Sequence, residues 1–184
     1  MALDVHKHVL LRPIEVGQTL LLRQHVLWPD LPIDKLKLPE DGNGWHFGAF
    51  VPDDPSATDD PIAVISLFLD PIPIDCGAVI SEDSEFTNNS ESLSSFVPSR
   101  AAVRFRKFAC RQSMQGQGIG TALLKYALDF ARSNLNAQVF WCDARVSSAS
   151  WYERRGLVRF GEKFYKGPVE YVRMRRALFQ SSDS

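Results

Sequence analysis

Apolar positions recur along this chain at two spacings, every second residue or every three to four, and the switches between them predict an alternating series of strands and helices. His8 to Pro13 reads as a short first strand. Val16 to Trp28 carries Leu20, Leu21, Val26 and Leu27 at helical spacing and stops before Pro29, with a further helical turn over Asp34 to Leu38 before Pro39. Trp45 to Val51 and Ile62 to Leu69 read as paired strands joined by a polar loop over 52–61. The second of these is almost wholly apolar, as a central strand covered on both faces must be. Ala101 to Cys110 is a further strand, and Ile119 to Asn134 a helix whose Ile119, Leu123, Ala127 and Phe130 share one stripe, widened by Leu124, Leu128 and Ala131. A buried strand over Gln138 to Ala144 follows, then a short helix from Ser148 to Arg155 stopped by Gly156. Leu157 to Tyr165 and Val169 to Leu178 close the series as a hairpin around Lys166-Gly167-Pro168.

One stretch breaks this rhythm. Residues 70–99 open with Asp70-Pro71-Ile72-Pro73 and continue into an acidic, serine-rich run, which reads as an insertion between two paired strands. The remainder fits a single domain over 1–184 with a frayed tail at 180–184. An apolar content of 45% is that of a globular chain. No apolar stretch reaches membrane-spanning length, and Asp4, His6, Lys7 and His8 interrupt the N-terminus where a signal peptide needs an apolar region. Cys76, Cys110 and Cys142 are isolated and odd in number. They read as reduced thiols rather than a disulfide framework or a metal site, and no metal is expected. These features point to the cytoplasm, or the nucleus.

Charge changes the picture further. Residues 1–99 hold 5 Lys/Arg against 16 Asp/Glu, and residues 100–184 hold 16 against 6. A basic second half suits an anionic ligand. It carries no nucleic-acid-binding module and no basic run with interleaved aromatics, so nucleic acid is not an expected partner.

The candidate ligand site lies in that basic half. Gln115-Gly116-Gln117-Gly118-Ile119-Gly120 opens directly onto Thr121-Ala122-Leu123-Leu124. Glycines let the backbone approach a ligand closely, and the helix start that follows offers unpaired N–H groups and a positive dipole end, the makings of a phosphate receptor. A dinucleotide fingerprint fails in both registers: counting from Gly116 the sixth residue is Thr121, and from Gly118 it is Leu123. A Walker loop fails too, since no Gly-Lys-Ser or Gly-Lys-Thr occurs. What remains is Q-x-x-G-x-G between a strand and a helix, either a phosphate loop of another kind or a turn without a ligand.

This order resembles the pyrophosphate-binding motif of the GCN5-related N-acetyltransferase (GNAT) superfamily. A second match stands about thirty residues on, where Trp151-Tyr152 and Gly156-Leu157 resemble the family's aromatic-Tyr and Gly-aromatic pairs. Phe105-Arg106-Lys107-Phe108-Ala109 and Tyr171-Val172-Arg173-Met174 look most like the small ElaA-like members. The resemblance implies an α+β fold in α/β/α layers, with a central mixed, mostly antiparallel, strongly twisted sheet flanked by helices. It implies an N-acetyltransferase that moves an acetyl group from acetyl-CoA to a primary amine by direct attack in a ternary complex. Phe108, Ala109, Cys110, Gln115, Gly116, Gln117, Gly118, Ile119, Gly120 and Thr121 would bind the cosubstrate, and Tyr152 would serve as general acid. The chain departs from the family at three positions: Arg145 where Asn is frequent, Tyr171 where ElaA-like proteins have His, and Phe108 where an aliphatic residue is common.

No general base is assigned among His25, His46, Glu82 and Tyr171, and His46, between Trp45 and Phe47, reads first as a hydrogen-bonded structural residue. The acceptor is equally open. The acidic half would attract a cationic amine, whereas Arg104 and Arg106 share strand parity with Phe108 and would face a substrate carboxylate. Small-molecule and peptide amines both fit, and homodimerisation stays open. The rival reading is a non-catalytic acyl-CoA-binding or interaction module on the same fold.

Overall fold

The computed structural model describes residues 9–52, 60–73 and 102–178. Residues 74–99 of the expected insertion, the tail at 180–184, Cys76 and Glu82 lie outside the described residues.

Seven strands form one sheet in the order β1-β2-β3-β4-β5-β7-β6: β1 Leu10–Pro13, β2 Trp45–Phe50, β3 Ala63–Leu69, β4 Ala102–Cys110, β5 Val139–Arg145, β6 Val158–Lys166 and β7 Val169–Ala177. Every neighbouring pair is antiparallel except β4 and β5. The parallel pair follows from the connection: a strand that must pass through a helix before it pairs returns in the same direction. Three helices cover the sheet: α1 Val16–Leu27, α2 Ile119–Asn134 and α3 Val146–Glu153. The α+β layering therefore stands as the resemblance implies.

Strand alternation separates the two layers. Ala63, Ile65 and Leu67 of β3 pack with Phe47, Phe105, Leu123 and Ala127 in the main core under α2 and α3, whereas Val64 packs with Ala109 and with Leu22 of α1. Every residue of β3 from Ala63 to Phe68 is buried, which explains a run that is apolar but for Ser66, whose hydroxyl meets Arg23 and His46. The stripe on α2 is buried from Ile119 to Ala131, and each large aliphatic chain on it contributes about 1.5–3 kcal/mol. α2 ends at Leu135 with Asn136 at φ 50°, a left-handed stop that asparagine tolerates.

Boundaries moved by a few residues. α3 starts at Val146, two residues early, because β5 runs into it without a loop. Short 3-10 turns at Pro39–Asn43 and Gln112–Met114 were not expected, and the one expected at 34–38 spans Ile33–Leu36.

A charged residue holds α1 to the sheet. Arg23 is fully buried, and its guanidinium donates to Asp41 Oδ2 at 2.7 Å, Asp41 Oδ1 at 3.0 Å and Ser66 Oγ at 2.9 Å. His46 completes the cluster: Nε2 donates to the Asp41 carbonyl at 2.9 Å and Nδ1 meets the Ser66 hydroxyl at 2.8 Å. With both ring nitrogens engaged in the interior, His46 belongs to this structural network.

Candidate active site

The site grows from a fault in β4. Opposite β3, Ser66 pairs with Arg106 but Val64 pairs with Ala109, so β4 spends one more residue than β3 over the interval. The extra residue is a bulge, and Lys107 takes up its strain at φ 54°, a region that residues with a Cβ seldom adopt. The bulge corrects one expectation. Arg106 and Phe108 do not share a face: Arg106 ion-pairs with Glu40, beside the α1 anchor, while Phe108 packs into the main core against Trp151, ring centroids 5.7 Å apart.

β4 also parts from β5. The two strands pair only from Ala102–Val139 to Arg104–Trp141, although they run on to Cys110 and Arg145. Beyond Arg104 the facing edge of β4 has no partner strand among the described residues, and the gap opens into two adjoining hollows.

The first hollow, about 620 Å³, runs from β4 to the start of α2 and is lined by Phe108, Ala109, Cys110, Gly116, Gly118 and Thr121, with Tyr152 and Arg155 on its α3 side. Gly116 and Gly118 sit at φ 75° and 78°, so the loop needs glycine there. The first helix-closing bond of α2 is Ala122 N–H to the Gly118 carbonyl at 2.9 Å, which leaves the N–H groups of Gly118 to Thr121 without an intrahelical acceptor. Gly120 is needed for a different reason. A Cβ there would stand 3.3 Å from Phe108 and 3.6 Å from Trp151, so its absence lets those rings close over the helix start.

Several expected residues have their side chains engaged within the protein. Ile119 points into the core at 2% exposure and can offer only its backbone. Gln115 Nε2 donates to the Cys110 carbonyl at 3.0 Å, and Gln117 Nε2 to the Ser113 carbonyl at 3.1 Å, so both glutamines brace the loop. Thr121 Oγ1 accepts from Arg155 Nε at 2.9 Å and Nη2 at 2.7 Å. Arg155 also lies over the Trp151 ring, 3.6 Å from its centroid, which fixes a guanidinium at the mouth of the glycine loop. Sequence reasoning missed Arg155, although a helix expected to run to Arg155 would set it one turn from Trp151; in the structure it lies in the turn just after α3.

The second hollow, about 520 Å³, lies on the other side of Tyr152 and is lined by residues of α1, β4, β5 and β7, among them Trp28, Arg104, Lys107, Asp143, Arg145 and Tyr171. The departures from the family at Arg145 and Tyr171 are direct register partners across β5 and β7 and share this wall. Of the base candidates among the described residues, only Tyr171 lines it. His25 lines a larger groove of about 960 Å³ between α1 and Arg111–Gln115, which touches neither Tyr152 nor α2.

Tyr152 borders both smaller hollows. Its ring packs on Phe105 at 5.7 Å and Trp151 at 5.0 Å, and its hydroxyl makes no hydrogen bond among the described residues. Burial, then the neighbouring Cys142, push its pKa well above that of a free tyrosine, against a smaller opposing pull from Arg155. The phenol therefore holds its proton at neutral pH. Burial also pushes the Cys110 and Cys142 thiols up. Lys107 moves the other way: burial, then the charge of Arg106, lower its ammonium pKa to about 8, while its Nζ rests 3.7 Å from the Trp28 ring centroid. Among the described residues no three metal-ligating side chains cluster, and no helix is long and apolar enough to cross a membrane.

Comparison with known proteins agrees with the fold. No curated protein sequence matches the chain. Among solved structures it is similar to a Lactobacillus plantarum protein regarded as an N-acetyltransferase, at 14% identity over 94% of this chain and 100% of that one, TM-score 0.65. It is also similar to Escherichia coli ElaA, at 13% over 91% and 99%, TM-score 0.61. A third is a GNAT family acetyltransferase from Elizabethkingia anophelis with acetyl-CoA bound, at 15% over 94% and 99%, TM-score 0.58. At such identities the likeness is one of fold. The acetyltransferase (GNAT) domain model, however, matches residues 85–178 directly, just over half of the sequence, and the chain belongs to that family.

Proposed function

We propose that this protein is an acetyl-CoA-dependent N-acetyltransferase that moves the acetyl group to a primary amine by direct attack in a ternary complex. The observation that carries the reading is the position of Tyr152, a protonated phenol with an unbonded hydroxyl, between two hollows of different chemistry. The first hollow fits acetyl-CoA. Free N–H groups at Gly118 to Thr121 and the Arg155 guanidinium suit its pyrophosphate, and Phe108, Met114 and Trp151 suit the apolar arm. The unpaired edge of β4 at Phe108 to Cys110 offers backbone groups to the arm and an N–H to the carbonyl.

Acetyl-CoA supplies an activated acyl carbon. The neutral amine nitrogen bonds to that carbon, the carbon–sulfur bond breaks, and the departing sulfur takes the phenolic proton of Tyr152; the nitrogen sheds its extra proton to solvent, which reprotonates the phenolate. A phenol with a raised pKa is a weak acid in water, but the burial that raises it also raises the neighbouring thiols, so a sulfur anion formed there is destabilised in parallel. Positioning of the two reactants supplies much of the remaining acceleration.

Acetyl-CoA at 100 times its Kd is expected to stabilise the fold by about 2.7 kcal/mol, read as a rise in melting temperature. Thiol release on adding an amine panel then separates an enzyme from a non-catalytic binder. Tyr152→Phe should lower kcat by about 100-fold or more with little change in acetyl-CoA affinity. An unchanged kcat would remove Tyr152 from the chemistry.

A further inference from the structure

The second hollow carries an imbalance of charge. Its lining holds Arg104, Arg106, Lys107, Arg145 and Lys166, against Asp143 as the acidic residue among the described ones. Among the described residues, the carboxylates within reach are already committed. Asp143 Oδ2 accepts from both Arg104 and Lys166, and its Oδ1 stands 3.8 Å from Arg173 Nε. Asp70 pairs with Arg104 at 2.9 Å, and Glu40 with Arg106. After these pairings two cations of the wall, Lys107 and Arg145, have no carboxylate within ion-pair distance among the described residues. Lys107 meets only the face of Trp28. The two lie on opposite banks of the gap, Lys107 at the bulge of β4 and Arg145 at the end of β5.

A cationic acceptor entering here would meet an excess of like charge, and the single carboxylate in the lining is shared among three cations. The oxygen of Asp143 that lacks a hydrogen bond is buried, out of reach of a ligand. The bank-to-bank arrangement suits the opposite chemistry, an anion bridging Lys107 and Arg145. We propose that the acceptor is an amine that also carries an anionic group, a carboxylate or a phosphate, held between Lys107 and Arg145 while its amine faces Tyr152. This assignment rests on the N-acetyltransferase reading and makes the protein selective for amino-acid-like or phosphoamine acceptors over polyamines. Trp28 and Tyr171 in the same wall favour a flat side chain on that acceptor.

The test compares matched acceptors on the full chain with acetyl-CoA: L-phenylalanine against phenylalaninamide, O-phosphoethanolamine against ethanolamine, and spermidine as the cation. The member of a pair that bears the preferred anion should show a kcat/KM higher by about tenfold or more, the value of one charge-assisted contact. Amidation lowers the pKa of the amine and so raises its reactive fraction, which means that a preference for the acid would run against intrinsic reactivity. The two pairs tell carboxylate from phosphate. Arg145→Gln, at an exposed position that leaves the core intact, should raise KM for the anionic acceptor with kcat retained and shrink the advantage over its neutral partner.

Equal or better turnover of the neutral partner in both pairs, or of spermidine over both anionic acceptors, would overturn the proposal while leaving the transferase reading in place. If no amine releases thiol, the transferase reading fails, and calorimetric binding of L-phenylalanine and O-phosphoethanolamine to the CoA-loaded chain decides separately. Binding lost in Arg145→Gln would keep the anion site, and no binding would remove it.

Discussion

Lys107 offers a sharp test of the electrostatics of the site. Its ammonium is lowered from 10.5 to about 8, first by burial and then by Arg106, with smaller like-charge contributions from Arg23 and Lys166 and an opposing one from Asp41. At ~1.4 kcal/mol for each tenfold change in proton affinity, the drop from 10.5 to about 8 sets a ceiling of roughly 3.4 kcal/mol. The side chain is only partly buried, so solvent screens much of this, and the Trp28 ring favours the charged form by about 0.5–1 kcal/mol. A destabilisation of ~1–2 kcal/mol at neutral pH remains. The sign follows from proton binding: between about pH 8 and 10.5 the unfolded chain holds a proton on Lys107 that the folded chain has released. Wild-type stability should therefore rise with pH across that window relative to Lys107→Met. The variant should be the more stable at pH 7, and the gap should close towards pH 10.5. Urea unfolding of both proteins from pH 6 to 10.5 reads the gap, and NMR titration of the lysine side chain reads the pKa directly. Arg106→Gln should move that pKa upward, and a bound anionic acceptor should do the same. A Lys107 that titrates near 10.5 in the free protein, with no pH-dependent gap, would refute the argument.

Two further substitutions probe the frame around the site. Gly120→Val would put methyl groups against Phe108 and Trp151, already 3.3 and 3.6 Å from a bare Cβ; it should weaken acetyl-CoA binding by tenfold or more, and unaltered affinity in calorimetry would contradict the close packing there. Asp41→Asn leaves the fully buried Arg23 without its counter-charge and should cost about 3–5 kcal/mol in urea unfolding; a loss below ~1 kcal/mol would mean that the pair is not a strong anchor. Burial raises the Asp41 pKa, but hydrogen bonds from Arg23 and the Leu38 N–H and the charges of Arg23 and His46 outweigh it, and the net shift is downward. The stability it contributes is accordingly present above the usual carboxylate pKa and lost as pH falls through the lower folded value, a loss that the Asp41→Asn protein should not show.

Much of this architecture was legible because it is local. The stripe on α2, the almost wholly apolar run of β3 and the glycines before α2 each declare themselves within a few residues, and each stands where the structure has it. Arg23 shows where local reading stops. Nothing within α1 marks it as buried, because its partners stand 18 and 43 positions away. The split of charge between the two halves was likewise a poor guide to the surface. Folding carries Glu40 and Asp70 across to Arg106 and Arg104, which pairs off two of the acidic residues that looked ready to attract a cationic substrate, while the acidic run at 74–99 lies outside the described residues.

The run Arg106-Lys107-Phe108 holds the main lesson for the acceptor. As a regular strand it would present Arg106 and Phe108 on one face, and the parity argument for a carboxylate rested on that. No glycine or proline marks the bulge, since its cause is the register against β3 and not the run itself. Once Lys107 takes the left-handed turn, three neighbours in sequence enter three surroundings: Arg106 neutralises Glu40, Phe108 closes over Gly120, and Lys107 rests on Trp28 without a carboxylate partner among the described residues. The case for an anionic acceptor thus passes from Arg104 and Arg106, which are paired, to Lys107 and Arg145, which have no carboxylate partner among the described residues. On the proposed reading, the bulge that re-aims one residue beside the expected thioester also places the binding charge for the amine's partner group, so donor geometry and acceptor choice would descend from the same extra residue in β4.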